Sequence, residues 1–334
     1  MTAARTITLA AAPPLAPLLA RAAARAPFKR PAAGAALPGT RLVLTGARTD
    51  PARLAAYAEV CALPRGGPGA PLPLLYPHVL GFPLALRIMA ERDFPLPLPG
   101  LVHTRVELAR TGPALRADDR PDLHVHAESL VPHRRGTEVV VVTEARIGGE
   151  PVWASRSRYL ARHRTAAPDA PPGSAGTMDT APGERDRGRD RDAPEPPGLA
   201  RWELPGDLGR RYAAASGDRN PVHLHALTAR PFGFRRAVAH GMWSLARCLA
   251  EAERAEGPAA GAQAAFRAPV LLPGAVHYAA APTADGTAFR LRGGGRTHVE
   301  GSTRRTAAEK PGARDDSVLP GVRTPGRGRG PGGV

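Results

Sequence analysis

Cysteine, lysine and aromatic residues are all scarce in this chain of 334 residues. Cysteine occurs only as Cys61 and Cys248, far apart and in no CxxC pair, which excludes a disulfide framework or a zinc ribbon and fits the reducing cytoplasm. Aromatic side chains make up 4% of the sequence, too few for the stacking platform of a single-strand nucleic-acid binder. Lysine appears only at Lys29 and Lys310, so the net charge of +16 is almost all arginine and is spread along the chain. Clustered cations bind phosphate backbones by releasing counterions, whereas diffuse ones read as solvated surface, so no nucleic-acid partner is expected.

Long clean apolar runs are missing too. Residues 7–20 and 72–90 are interrupted by Pro13, Pro14, Pro83 and Arg87, and neither offers the roughly 20 unbroken apolar residues of a bilayer span. No acidic residue precedes Asp50, while Arg5, Arg21, Arg25, Lys29 and Arg30 all do. That superficial targeting pattern is spoiled by Pro13-Pro14, and no small-residue cleavage site follows at a sensible distance. Residues 1–36 are expected to be a leader helix packed on the fold.

Two stretches carry neither helical nor strand periodicity. Residues 165–199 contain APDAPPGSAG and GERDRGRDRDAPEPPG, and residues 307–334 end in PGRGRGPGGV. With so few apolar side chains to offset the entropy of ordering, they are expected to be a disordered linker and tail. Two folded blocks remain, residues 37–164 and 200–306.

In the first block Asp50-Pro51 starts a helix, with Asp at the cap and Pro at the first helical position, and a second helix is expected near residues 78–92. Strands follow in LVHTRVEL, DLHVHAESLV, EVVVVTEARI and PVWASRSRYLA, the last two joined by a Gly148-Gly149 hairpin turn. The second block repeats the order. Helices are expected near residues 206–215 and 241–253, then strands in AQAAFRAPVLL, AVHYAAAP, TAFRLRG and RTHVEGSTR. Helices before an antiparallel sheet define an α+β architecture, with a long helix across a curled sheet in each half.

The halves also align. Gly81, Arg87, Ala90 and Glu91 meet Gly241, Arg247, Ala250 and Glu251 at one constant offset, and Tyr57-Ala58 meet Tyr212-Ala213 at a slightly shorter one. On that register Leu63 and Pro68 stand where the second half has Asp218 and His223. The pattern predicts an internal duplication in which one copy lacks acid/base groups.

The segment YAAASGDRNPVHLHALTARPFGFRRAVAHGM, residues 212–242, carries the chemistry. Ser216-Gly217-Asp218 turns the chain after a helix, and Asn220-Pro221 imposes an extended or turn conformation before His223. One such loop can project a carboxylate and an imidazole into one cavity, where they can take a proton from water and deliver one to carbon. Ala239-His240-Gly241-Met242 opens the second long helix, so the N–H of Gly241 can stabilise a developing oxyanion with help from the helix dipole. Taken singly, Asp218 would be a turn or cap residue, Asn-Pro a turn starter, His223 an ordinary histidine and His240 a structural donor. The joint arrangement carries the reading.

S-G-D-x-N-P-x-H followed by A-H-G-M closely resembles the MaoC-like, or hydratase-2, family, whose members hydrate trans-2-enoyl thioesters to (R)-3-hydroxyacyl thioesters. The resemblance covers most of residues 37–306, strongly in the second block. It implies a double hot-dog fold whose N-terminal half is degenerate and leaves space for the acyl chain. It also implies Asp218 and His223 as catalytic residues with Asn220 in support, and an oxyanion and substrate-binding set of Gly241, His240 and Ser216. No cofactor and no metal are expected. The expected partner is an enoyl thioester of coenzyme A or of acyl carrier protein, for which a small positive mouth is compatible with the charge. No membrane contact is expected, and the halves form a pseudo-dimer within one chain, with homodimerisation open. His225 departs from the family, many of whose members carry Asp there, and that substitution could alter how the loop is anchored.

A hot-dog thioesterase, which would direct water to the carbonyl carbon, is the nearest rival. A non-catalytic acyl-CoA-binding module, its basic tail serving as a partner contact, is another. His124 and His126 share a strand face, with His103, His133 and His225 elsewhere, but they lack a carboxylate or cysteine partner for zinc.

Overall fold

The N-terminal segment contributes more than a leader helix. Residues Arg5–Leu9 form strand β1, which pairs in parallel with β2 (Thr40–Leu44), and helix α1 (Leu15–Arg25) belongs to the crossover such a parallel pair requires. Leu18 and Ala22 of α1 are buried against Leu86 and Ala90. Neither strand was expected, because five-residue strands at a sheet edge leave little periodicity to read. The computed structural model describes residues 5–29, 31, 35–64, 66, 67, 69–164 and 198–305. The stretches expected as linker and tail fall outside it, except for Gly198 and Leu199.

Helix α2 (Pro51–Val60) starts as its sequence requires, with the Asp50 carboxylate accepting from the N–H groups of Ala52 and Arg53. Helix α3 (Tyr76–Met89) is apolar nearly all round and correspondingly buried. Strands β3 (Val102–Arg110), β4 (Asp122–His133), β5 (Gly136–Ile147) and β6 (Glu150–Arg162) follow, with Gly148-Gly149 turning β5 into β6 at positive φ. The second half opens with β7 (Gly198–Leu204) and α4 (Leu208–Ser216). Gly198 already pairs with Ala279, so the strand takes in Gly198 and Leu199, which the linker reading had excluded. The short α5 (Ala226–Ala229) and β8 (Ala237–Val238) lead into α6 (Gly241–Glu256). The chain then runs through β9 (Gly261–Phe266), β10 (Leu271–Leu272), β11 (Gly274–Pro282), β12 (Thr287–Gly293) and β13 (Arg296–Arg304).

Eleven strands form one sheet in the order β1-β2-β4-β5-β6-β3-β9-β13-β12-β11-β7. After β1 the order reads the same from both ends: β2, β4, β5, β6, β3 mirror β7, β11, β12, β13, β9. Two hot dogs, α3 and α6 each crossed by an antiparallel sheet, therefore meet where β3 pairs with β9, from Arg105↔Ala265 to Ala109↔Gly261. One core cluster of buried side chains runs through both halves.

Helices also tie the halves. The Tyr57 ring on α2 lies 5.2 Å from that of Tyr76 and 5.9 Å from that of Tyr212 on α4. Trp243 of α6 donates its indole N–H to the Val60 carbonyl at 2.8 Å, satisfying an acceptor that the end of α2 leaves without a helical partner. Replacing Trp243 by Phe strands that buried acceptor and leaves a void. Trp243→Phe is expected to cost about 2–3 kcal/mol in urea unfolding, and an unchanged midpoint would show that the contact contributes nothing.

Candidate functional site

The turn after α4 is built by its own side chains. Gly217 ends α4 in the left-handed region, φ +86°. The Ser216 hydroxyl donates to the Tyr212 carbonyl at 2.9 Å and accepts from the N–H of Asp218 at 3.2 Å. Asp218 Oδ1 then accepts from the Asn220 N–H at 3.1 Å, and Asn220 Oδ1 from the Val222 N–H at 3.4 Å. These local bonds explain why the sequence holds Ser, Asp and Asn here. The Ser216 side chain is buried, with both of its hydrogen bonds inside the loop.

Asp218, His223 and His240 come together, with their reactive atoms all within 4.8 Å of one another. His223 donates from Nδ1 to the Val238 carbonyl at 2.7 Å, so in the neutral ring Nε2 is the free acceptor. The His240 ring stacks on His223 with centroids 3.7 Å apart, and its Nε2–H donates to the Asp218 backbone carbonyl at 2.9 Å. His240 is 2% exposed and Asp218 keeps 29% of its side chain open. The carboxylate therefore keeps some access to solvent, while His240 is enclosed behind the pair.

Burial sets the protonation states. The Asp218 carboxyl is pushed above the ordinary carboxylate range by loss of water, against the pull of His223 and of the Asn220 N–H. His223 is pushed below the usual imidazole value by the same desolvation, with Asp218 opposing, and His240 is held well below it by burial and by His223. A buried carboxyl beside a neutral imidazole suits proton transfer in either direction.

Gly241 begins α6 directly after His240, and its N–H belongs to the first turn, where donors lack helical partners. A Cβ there would lie 3.1 Å from the Phe266 ring of β9, a tight contact that the ring would have to relieve by shifting a few tenths of an ångström. On α4 the constraint is stricter, since a Cβ on Gly209 would come 1.9 Å from the carbonyl oxygen of His223. Gly209, the Val238 carbonyl and Phe266 were missed from sequence, because their importance lies in contacts between segments. The first half supplies Tyr159 of β6, close enough to feel the charge of Asp218, with His103 of β3 stacked on it at 4.4 Å and tilted against Phe266 at 5.0 Å. His225 is exposed at the start of α5, its Nδ1 3.5 Å from Arg210, and Arg210 also donates to the Leu224 carbonyl.

Asp218, His223 and His240 are also the described residues most nearly arranged for a cation. Each imidazole has one nitrogen committed to a backbone carbonyl, His223 Nδ1 to Val238 and His240 Nε2 to Asp218. His124 and His126 on β4 join no such group among the described residues.

A further consequence is a pH-dependent stability. Burial lowers His78 to about 4 and His103 to about 3, and lowers His223 and His240 as well. All four protonate near 6.5 once unfolded, so the unfolded chain binds more protons and stability falls as the pH drops below 6.5. Asp218, Glu91 and Glu253, raised by burial, oppose this by holding protons in the folded state. With His124 and His126 lowered by burial as well, six imidazoles oppose three carboxyls at pH 5, so urea midpoints are expected to fall from pH 7 to 5 with a net uptake of about one proton or more on unfolding. A flat profile would contradict the burial of these imidazoles.

A family profile described as a MaoC like domain matches residues 201–298. The curated 3-hydroxyacyl-thioester dehydratase X of Mycobacterium tuberculosis is 32% identical over 240 residues, which make up 71% of this chain and 78% of that protein. A crystal structure of HtdX from Mycobacterium tuberculosis matches with a TM-score of 0.64 at 31% identity, covering 79% of this chain and 99% of that one. A MaoC-like dehydratase from Phytophthora capsici shares the fold, with a TM-score of 0.63 at 16% identity over 82% of this chain and 97% of its own. With its dyad loop lying inside the matched segment, the chain belongs to the MaoC-like dehydratase family.

Proposed function

We propose that the protein is a hydro-lyase that interconverts trans-2-enoyl and (R)-3-hydroxyacyl thioesters in fatty acid or related acyl metabolism. The observation that carries this reading is the convergence of Asp218 and His223 beside the first turn of α6. A water held between the dyad and the substrate attacks C3. His223 Nε2 takes a proton from that water as the C–O bond forms, and the protonated Asp218 carboxyl gives a proton to C2. The N–H of Gly241 receives the negative charge that develops on the thioester oxygen. Proton transfer from His223 back to Asp218 resets the pair, and dehydration runs the same steps in reverse.

Asn220 and Ser216 position the loop, and His240 holds the Asp218 backbone and the face of His223. Residues 37–164 serve as the non-catalytic half, since Leu63 and Pro68 take the sequence places of the dyad. No described helix is long and apolar enough to cross a membrane. Two buried free thiols, Cys61 and Cys248, suit the cytoplasm.

Asp218→Asn and His223→Ala are each expected to lower crotonyl-CoA hydration by about 10²–10⁴-fold with the fold intact by circular dichroism. Parent-like rates in both variants would end the assignment. Release of free thiol from the parent enzyme would favour a thioesterase instead, and tight enoyl-CoA binding without turnover would favour an acyl-binding module.

A further inference from the structure

An irregularity of β3 turns the ring of His103 into the protein. Side chains alternate along a strand, so with Val106 and Leu108 buried, an unbroken ladder would send His103 to the opposite face. The pairing with β6 slips there instead. His103 faces Tyr159, Arg105 faces Arg158, and Thr104 is left as the extra residue of a β-bulge. The Thr104 hydroxyl donates to Glu138 Oε1 at 2.7 Å and lies 3.1 Å from the Arg158 carbonyl oxygen, which pins the bulge. Bulges next to active sites re-aim side chains, and this one carries His103 to the helix side of the sheet. Its ring lies 6.2 Å from that of His78 on α3 and 4.4 Å from that of Tyr159, at 16° and 23° from parallel. His78 Nδ1 is in turn 3.4 Å from Ser155 Oγ.

The arrangement does not serve stability. His103 Nε2 is enclosed with no hydrogen-bond partner among the described residues, and the bulge interrupts the ladder. What the neighbours use is the ring itself, which burial keeps neutral. Two of them reach the reacting groups of the second half. Tyr159 is close enough to feel the charge of Asp218, and the Phe266 ring, 5.0 Å from that of His103, lies 3.1 Å from the place of a Cβ on Gly241. We propose that His103 is a positioning residue for the hydration reaction: turned inward by the bulge at Thr104, its ring sets Tyr159 beside Asp218 and Phe266 against Gly241. The role rests on the dehydratase reading, in which one thioester must meet a proton donor at C2 and an N–H at its oxygen together. A displacement of about 1 Å between two such groups can cost about a hundredfold in rate.

The test uses the full chain with His103→Leu, which fills the space without a flat ring, and His103→Phe, which keeps the ring without nitrogen. In crotonyl-CoA hydration His103→Leu should lower kcat about tenfold or more with KM within about twofold, and His103→Phe should restore kcat to within about threefold of the parent. Rates are taken per folded protein, from circular dichroism at the assay temperature. Parent-like kcat in His103→Leu would overturn the proposal. So would equal losses in the two variants, which assign the role to the nitrogen, or a raised KM with unchanged kcat, which makes His103 a substrate contact. A parent that does not hydrate crotonyl-CoA would remove the dehydratase reading and this role with it, whereas an active parent with a parent-like His103→Leu removes the role alone.

Discussion

Everything at the site depends on the hydrogen bond from His223 Nδ1 to the Val238 carbonyl. A carbonyl can only accept, so this bond puts the proton on Nδ1 and leaves Nε2 as the free acceptor. Val238 can offer its oxygen there because a two-residue strand, β8, pairs with β10 and aims the chain toward α6. Two residues later His240 sends a bond the other way, from Nε2–H to the Asp218 carbonyl. Residues 218–223 and 238–240 thus hold each other by reciprocal imidazole-to-backbone bonds. Each bond is worth about 1 kcal/mol net, but leaving a buried partner unsatisfied costs about 1–3 kcal/mol, so the arrangement resists loosening more than it adds to stability.

The electrostatics of the pair follow from what has been kept away from it. In a protein with a net charge of +16, no arginine is among the groups that set the protonation of Asp218. Desolvation dominates instead, raising the carboxyl and lowering the imidazole, so that the charged pair loses its usual advantage over the neutral one. An arginine beside Asp218 would instead favour the ionised carboxylate.

The dyad was legible in the sequence because a loop closed by its own side chains writes its geometry locally: Ser216, Gly217, Asp218, Asn220 and Pro221 each serve a bond or dihedral within a few residues. Helix α2 was legible by its Asp50 cap, and the strands that carry the sheet by their β-rich runs and turns. What could not be read depends on distant segments. The contacts of His240, its ring on His223 and its N–H on the Asp218 carbonyl, are visible only once β8 and the loop are side by side. Gly209 gave no signal because its constraint, the His223 carbonyl, comes from a different segment. The edge strands β1 and β2 were too short to outweigh the proline-rich sequence between them.

The first half keeps its fold without the acid/base pair because the second half cannot close alone. Without β3, strand β9 would be an open sheet edge with unpaired N–H and C=O groups, next to the residues that flank the site. Phe266, whose ring crowds Gly241, sits at the end of that strand and packs on His103. The ring that packs tightly on the start of α6 is thus contacted from the other half. Losing the dyad from one copy of a duplicated fold removes only chemistry, since Leu63 needs no partner there. Losing the β3 ladder or the Tyr57–Tyr76–Tyr212 cluster would remove the wall against which the remaining site is built.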